Sequence, residues 1–547
     1  MTWRIQIKEC REFVNKFDSS NIDCDIIKRQ KNVRLCNLIK RRKNMNSEYE
    51  YNQEVKKKVR QETLTYIIEK LTVKRSEAAC VRKTYVRELF NWLTSQNYDS
   101  KSRDLAKKIP VEYITLWEEF HDSFLGQKKP SELTVCYLSG SQPMNDFEVL
   151  VESGIHPHNI WAFEVDKGTY NNALNNIDSS DFPMLKLHKG SIEQFFVTTP
   201  KKFDIVYLDF CGSIPSTQHT TRIIASLFKH QRLNSPGALI TNIALPDISK
   251  PSELNKYAEL VSSYLFSKDY LEGENGQPIE NTIRNFEEFK KEVINNFEGF
   301  YSQFITRQIL DISTIITPWV RLATSSLWNK YFKSKPNEIS KSLYKAKMYS
   351  LNKTLESINR AQKEQREFGL KWINEMSGFP ESNIVISDII GSYNVLKANS
   401  DFYTENMSKV IDEYLYEEKM FQFCDRPNKN LAFDLLTNQL SYPMHYSTNA
   451  ILRKSYQAKQ TKMFTDAIIF DEVRYIYEWL PTIDLLNNAF ENIGQQLTYR
   501  FALDGLVKNR MWYNPEYFYS GSVVSIHDNE SFNANTIAKR EEIIVKE

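Results

Sequence analysis

Glycine and proline are scarce in this chain, with 16 and 18 among 547 residues. Both interrupt helices and make tight turns, so their scarcity disfavours a β-rich fold and favours long helices. The seven cysteines are odd in number and scattered, and none forms a CxxC pair. That excludes a disulfide framework and a cysteine-rich zinc site as expectations, and points to reduced thiols in the cytoplasm. No run approaches eighteen consecutive apolar residues, and the N-terminus MTWRIQIKECREF lacks the apolar stretch of a signal peptide. Neither a membrane span nor export is therefore expected. Charge of one sign is also missing: 71 Lys and Arg stand against 69 Asp and Glu, a net of +2. His156, His158, His188 and His219 have no carboxylate at i+3 or i+4, so no metal site is expected.

What is present is unevenly spread. The length exceeds what one core usually supports, which predicts two or three domains. Residues 1–130 read as a basic helical region. Lys28–Asn44 carries eight Lys or Arg and no acid, and Lys56–Arg60 (KKKVR) adds a second cluster. Apolar residues at three- and four-residue spacing follow, in ETLTYIIEKLTV and TYVRELFNWL, as amphipathic helices require. A basic helical arm can neutralise phosphates, and a solvated helix face is the competing reading. The stretch GQKKPSE (Gly126 to Glu132) marks a boundary.

From Leu133 the pattern changes to apolar runs alternating with helical segments: LTVCYLSG, IWAFEVD, MLKLHKGS, FDIVYLDFCGS and, after a Pro236-Gly237 turn, GALITNIAL. Regular βα order predicts an open, mostly parallel sheet whose ligand crevice lies at the carboxyl ends of its strands. Gly140, between Ser139 and Ser141, ends the first run, where a chain close to a ligand needs a residue without a side chain. Glu164 ends the second, where an acid accepts hydrogen bonds from ribose hydroxyls. Asp166 is one step out of phase and suits the cap of the helix KGTYNNALNNI. Asp209 ends the fourth run, at the crevice.

At these residues the segment resembles the Rossmann-like S-adenosylmethionine-dependent methyltransferases. LSGSQPMND stands where that family has its glycine-rich cofactor loop, and IWAFEVD places Glu164 in the ribose role. LKLHKGSIEQFF is similar to the third motif, with Gly190-Ser191 where relatives often have Gly-Asp facing adenine. FDIVYLDFCGS is similar to the fourth, which brackets the methyl group. LDFCGS lies nearer the Leu-Asp-Pro-Phe-Gly-Ser of tRNA guanine dimethyltransferases than the Asp/Asn-Pro-Pro-aromatic tetrad of amine methylases. The resemblance implies S-adenosylmethionine as cofactor, with Ser139, Gly140, Ser141, Glu164, Gly190, Ser191 and Asp209 around it and Asp209 catalytic. Cys211 lacks a preceding proline and reads as a small buried thiol rather than a nucleophile.

The expected fold is thus an α/β Rossmann-like methyltransferase core flanked by an N-terminal helical region and a large, mainly α-helical C-terminal domain. The divisions are 1–130, 131–335 (core 131–248) and 336–547. Ile315 to Trp328 is a candidate for the last strands. Tyr442 to Pro481 interleaves Arg453, Lys454, Lys459 and Lys462 with Tyr456 and Phe464, and continues through Asp466, Asp471, Arg474, Tyr475 and Tyr477 at helical spacing. Such a stretch can grip phosphates and stack bases, or can form a helical core with internal ion pairs. The functional expectation is a methyltransferase acting on RNA or DNA through the basic N-terminal helices and residues 442–481. The alternative is a methyltransferase fold without catalysis, serving as a sensor or scaffold subunit. A nicotinamide dehydrogenase is disfavoured because no GxGxxG follows the first strand.

Overall fold

The computed structural model describes residues 54–95, 100–210, 212–214, 220–266, 268, 270–333, 396, 400–414, 437–438, 440–479, 493–509 and 537–544. The basic run Lys28–Asn44 and Cys211 lie outside them. Helix α1 (Glu54–Leu71) opens the described chain, followed by α2 (Tyr85–Thr94) and α3 (Val111–Leu125). Each buries one apolar stripe: Leu64, Ile67, Ile68 and Leu71 on α1, and Val86, Leu89 and Leu93 on α2. The described residues before 130 thus form these helices and a shorter one, Ser100–Ala106, joined by turns.

The alternating runs become β1 (Val135–Leu138), α4 (Met144–Glu152), β2 (Ile160–Glu164), α5 (Lys167–Asp178), β3 (Lys186–Lys189), α6 (Ile192–Thr198), β4 (Phe203–Asp209), α7 (Thr220–Lys229) and β5 (Leu233–Ala244). A small ribbon, β6 (Tyr270–Glu272) with β7 (Pro278–Glu280), precedes α8 (Phe297–Asp311). Two long strands, β8 (His445–Ala458) and β9 (Thr461–Asp471), and a short one, β10 (Glu541–Ile543), complete the main sheet.

Its order is β10-β8-β9-β5-β4-β1-β2-β3. Strands β1 to β5 pair in parallel, and β9 pairs antiparallel with both β5 and β8. From β1 the chain proceeds outward to β2 and β3 on one side, then restarts at β4 on the other. The switch point therefore lies between the carboxyl ends of β1 and β4, where a doubly wound sheet opens a crevice.

Two expectations are corrected. Tyr442 to Pro481 is not mainly helical: Ala458 and Thr461 face each other across the two-residue turn Lys459-Gln460, with Lys459 at φ 54°. Both strands are buried on both faces, which removes the period-two alternation that marks a half-exposed strand. Ile315 to Trp328 holds no strand, but a π-helical turn (Ile312–Ile316) and the helices Thr317–Ala323 and Leu327–Tyr331. The sheet therefore does not end near residue 248 but takes three strands, β8, β9 and β10, from the range expected to be a helical C-terminal domain.

Alternate residues of β4 sort the core into two layers. Ile205 and Tyr207 face α1 and α4, packing with Leu64, Ile67, Leu71, Phe147 and Leu150. Val206 and Leu208 face the other side, with Phe196 of α6, Leu227 of α7 and Phe304 of α8. Burying each such side chain stabilises the fold by roughly 1.5–3 kcal/mol. Helix α1 is thus a layer of the core rather than a loose arm.

Candidate active site

The carboxyl ends of β1, β2 and β3 are brought into line by backbone hydrogen bonds. Ser139 N–H donates to Phe163 O at 3.0 Å, and Gly190 N–H donates to Glu164 O at 3.0 Å. Gly140 turns at φ 57°, and a Cβ there would meet nothing within 4 Å. The positive φ, which strains an L-residue, accounts for glycine at this position, and the space beside it is open. Asn176 Nδ2 of α5 donates to Ser141 O at 2.7 Å and pins the loop from outside.

The candidate residues differ in what they have left to offer. Ser139 is buried, and its hydroxyl lies 3.3 Å from Phe163 O and 3.2 Å from Gly140 O, so it serves the backbone. Glu164 Oε1 accepts Asp166 N–H at 2.8 Å, which fixes the carboxylate at the strand end. Asp166 caps α5 by accepting Thr169 N–H at 2.8 Å, and that bond holds its carboxyl below the usual range. Ser191 is the N-cap of α6, with Gln194 N–H 3.5 Å from its hydroxyl. Its position beside Glu164 follows from the Gly190–Glu164 bond, and its side chain is turned to the helix.

Asp209 is held on both oxygens. Asn242 Nδ2 donates to Oδ1 at 2.9 Å, and Lys56 Nζ of α1 lies 2.8 Å from Oδ2. Asn242, at the paired position on β5, also donates to Tyr456 Oη at 2.9 Å and accepts from Thr465 Oγ1 at 3.0 Å. Burial, with Asp209 nearby, pushes the Tyr456 phenol up to about 12. One turn along α1 from Lys56, Arg60 pairs with Asp146 in the first turn of α4. Burial opposes the charge on Arg60, but Asp146, Tyr207 and Asp209 outweigh it and raise the guanidinium above its ordinary value.

Sequence reasoning missed Lys56, Arg60, Asp146 and Asn242. The spacing of Lys56 and Arg60, one helical turn apart, was available as a signal. Reading KKKVR as an arm for phosphates overlooked it, because nothing in the run shows which face packs. Most residues of 442–479 are buried, although Tyr442 and Lys459 are exposed. Arg453 is buried and grips Glu272 with its two terminal guanidinium nitrogens, at 2.5 and 3.0 Å; Lys454 pairs with Glu62; Lys462 reaches Glu298 and Glu542 at 2.6 and 2.7 Å. These cations are paired within the chain, Arg453 with the largely buried Glu272, and Lys454 and Lys462 with the exposed Glu62, Glu298 and Glu542.

Among the described residues, no group of three His, Cys, Asp or Glu is placed to hold a metal ion, and no helix is long and apolar enough to cross a membrane. No family model and no curated protein matches the chain. Solved structures similar to it include the fibrillarin/Nop5p complex, at 12% identity over 28% of this chain and 74% of that one, with a TM-score of 0.19. An S-adenosylmethionine-dependent methyltransferase from Clostridium acetobutylicum matches at 15% identity over 36% and 68%, with a TM-score of 0.17. The O-methyltransferase segment StiE O-MT matches at 10% identity over 41% and 86%, with a TM-score of 0.18.

Proposed function

We propose that the chain is an S-adenosylmethionine-dependent methyltransferase whose acceptor is a nucleic acid. The observation that carries the reading is the convergence of Gly140, Glu164 and Asp209 at the carboxyl edge of a doubly wound sheet, around its switch point. Gly140 leaves room for the cofactor's amino-acid end, Glu164 accepts the ribose hydroxyls, and Gly190-Ser191 borders the adenine. Asp209 faces the methyl group. Catalysis on this reading is mostly alignment of acceptor and methyl carbon, with Asp209 orienting the acceptor.

Antiparallel β9 beside β5 departs from the 3-2-1-4-5-6 order of dinucleotide-binding sheets, and no GxGxxG follows β1. Both features argue against a nicotinamide cofactor. The nucleic-acid part of the proposal rests on the run Lys28–Asn44 and on exposed Lys57 and Lys58.

Calorimetric titration of the purified chain with S-adenosylmethionine, with NADH in parallel, tests the cofactor assignment. Saturable binding of the first alone is expected, and its absence overturns the proposal. The non-catalytic alternative is favoured by Ser191 serving as a helix cap. Stable partners that co-purify with a chain transferring no methyl group to RNA or DNA would decide for it.

A further inference from the structure

Helix α1 delivers an ammonium group to the carboxyl end of β4. Lys56 Nζ lies 2.8 Å from Asp209 Oδ2, with the two side chains 19% and 11% exposed. The lysine is carried on a docked helix. Val59, three residues on, is buried against Ala244, Tyr456 and Met463, and Arg60 is paired with Asp146. The opposite oxygen of Asp209 is fixed by Asn242, itself held by Tyr456 and Thr465. A cation and an acid thus stand together, with little freedom, where the acceptor atom has to come.

That pairing discriminates between acceptor chemistries. A neutral amine that attacks a methyl carbon gains positive charge on nitrogen, which a fixed ammonium opposes. A hydroxyl must give up its proton to become an effective nucleophile, and the negative charge that develops on oxygen is what an ammonium stabilises. Given the methyl-transfer reading above, on which this rests, we infer that the acceptor is a hydroxyl group set against the Asp209–Lys56 pair, within reach of both side chains. Within a nucleic-acid chain the internal hydroxyl is the ribose 2′-OH, so the substrate is RNA and not DNA.

The step balances without a further reactant. The O–H bond breaks and its proton passes to the Asp209 carboxylate. A lone pair on the oxygen attacks the methyl carbon of S-adenosylmethionine, the O–CH3 bond forms, and the C–S pair returns to sulfur, leaving a neutral thioether. Lys56 keeps its protons: it faces the Asp209 carboxylate until the proton passes and the charge developing on oxygen until the O–CH3 bond closes, after which Asp209 returns its proton to water.

The test uses the full chain and its Lys56→Met and Lys56→Arg variants. Calorimetry with S-adenosylmethionine comes first, then transfer of radiolabelled methyl to an unmodified RNA transcript and to duplex DNA of the same sequence. The expected result is label in RNA alone, released as 2′-O-methylnucleoside. Lys56→Met should bind cofactor unchanged and lose about 100-fold in kcat, as on removing one stabilising donor, and Lys56→Arg should recover part of the loss. Label on a base nitrogen or on DNA overturns the inference. Cofactor binding with no label in RNA also overturns it. So does undiminished turnover by Lys56→Met, which would leave Lys56 as a staple for α1. A wild-type chain that binds no cofactor fails at the first measurement, and there the methyltransferase reading falls as well.

Discussion

Arg60 Nε lies 2.5 Å from Asp146 Oδ1, and the two side chains are only 10% and 6% exposed. The pair ties α1 to the helix that follows the Gly140 turn. Burial raises the Asp146 carboxyl above its ordinary value even though Arg60 pulls the other way. A carboxylate in that position tolerates the loss of its partner badly. Arg60→Ala is expected to destabilise the protein by about 3–5 kcal/mol, the range for breaking a buried pair, and the double change Arg60→Met/Asp146→Leu by less. Denaturant midpoints of the three proteins check the order.

A second prediction concerns acid. His445 is buried with Nε2 2.6 Å from the Tyr477 hydroxyl, and burial lowers its pKa to about 3. Burial also lowers that of His121, whose Nε2 lies 2.9 Å from Val81 O. Below pH 6.5, the ordinary histidine value, the unfolded chain binds protons that the folded chain refuses at these sites. Stability is therefore expected to fall as pH drops below about 6.5, by about 1.4 kcal/mol per pH unit from His445 down to about 3, with a further loss in the same direction from His121. Unfolding measured at pH 7.5, 6 and 5 tests this. His445→Gln should flatten the slope, and an unchanged slope would dismiss His445 as its source.

The parallel half of the sheet was legible because β1, β2, β4 and β5 are mainly apolar runs with helical segments between them. Gly140, Glu164 and Asp209 were legible because each ends such a run. Asp166 showed itself as a cap by lying one step beyond the strand's phase. Strands β8 and β9 were hidden for a physical reason. With both faces buried they show no alternation, and their charged residues are compensated by distant partners: Arg453 by Glu272, Lys454 by Glu62, Asp466 by Arg540. The same reason hid Lys56. A lysine that ends at Asp209, 153 positions away, reads locally as part of a basic run.

Gly140 offers a separable test of the crevice. Its φ of 57° costs an L-residue roughly 1–2 kcal/mol, while no neighbouring atom would clash with a Cβ. Gly140→Ala is therefore expected to lower stability by about that amount and no more. Gly140→Val adds bulk to the open side, and is expected to weaken S-adenosylmethionine binding beyond any loss of stability. Thermal unfolding and calorimetry on both variants measure the two effects apart. Equal affinity in Ala and Val variants would place the cofactor away from this turn.

Ser191 permits a gain rather than a loss. Its hydroxyl caps α6 over a long 3.5 Å contact to Gln194 N–H, at a position next to Gly190, whose N–H is bonded to Glu164 O. Aspartate is as good an N-cap as serine, and its negative charge also suits the positive end of a helix dipole. Ser191→Asp should therefore leave unfolding within about 0.5 kcal/mol of wild type. On the proposed reading it also restores an acid where the adenine amino group lies, and a hydrogen bond to a charged group contributes about 1.5–3 kcal/mol. S-adenosylmethionine is then expected to bind roughly tenfold more tightly or better. A chain as stable as wild type whose affinity is unchanged would move the adenine away from the end of β3.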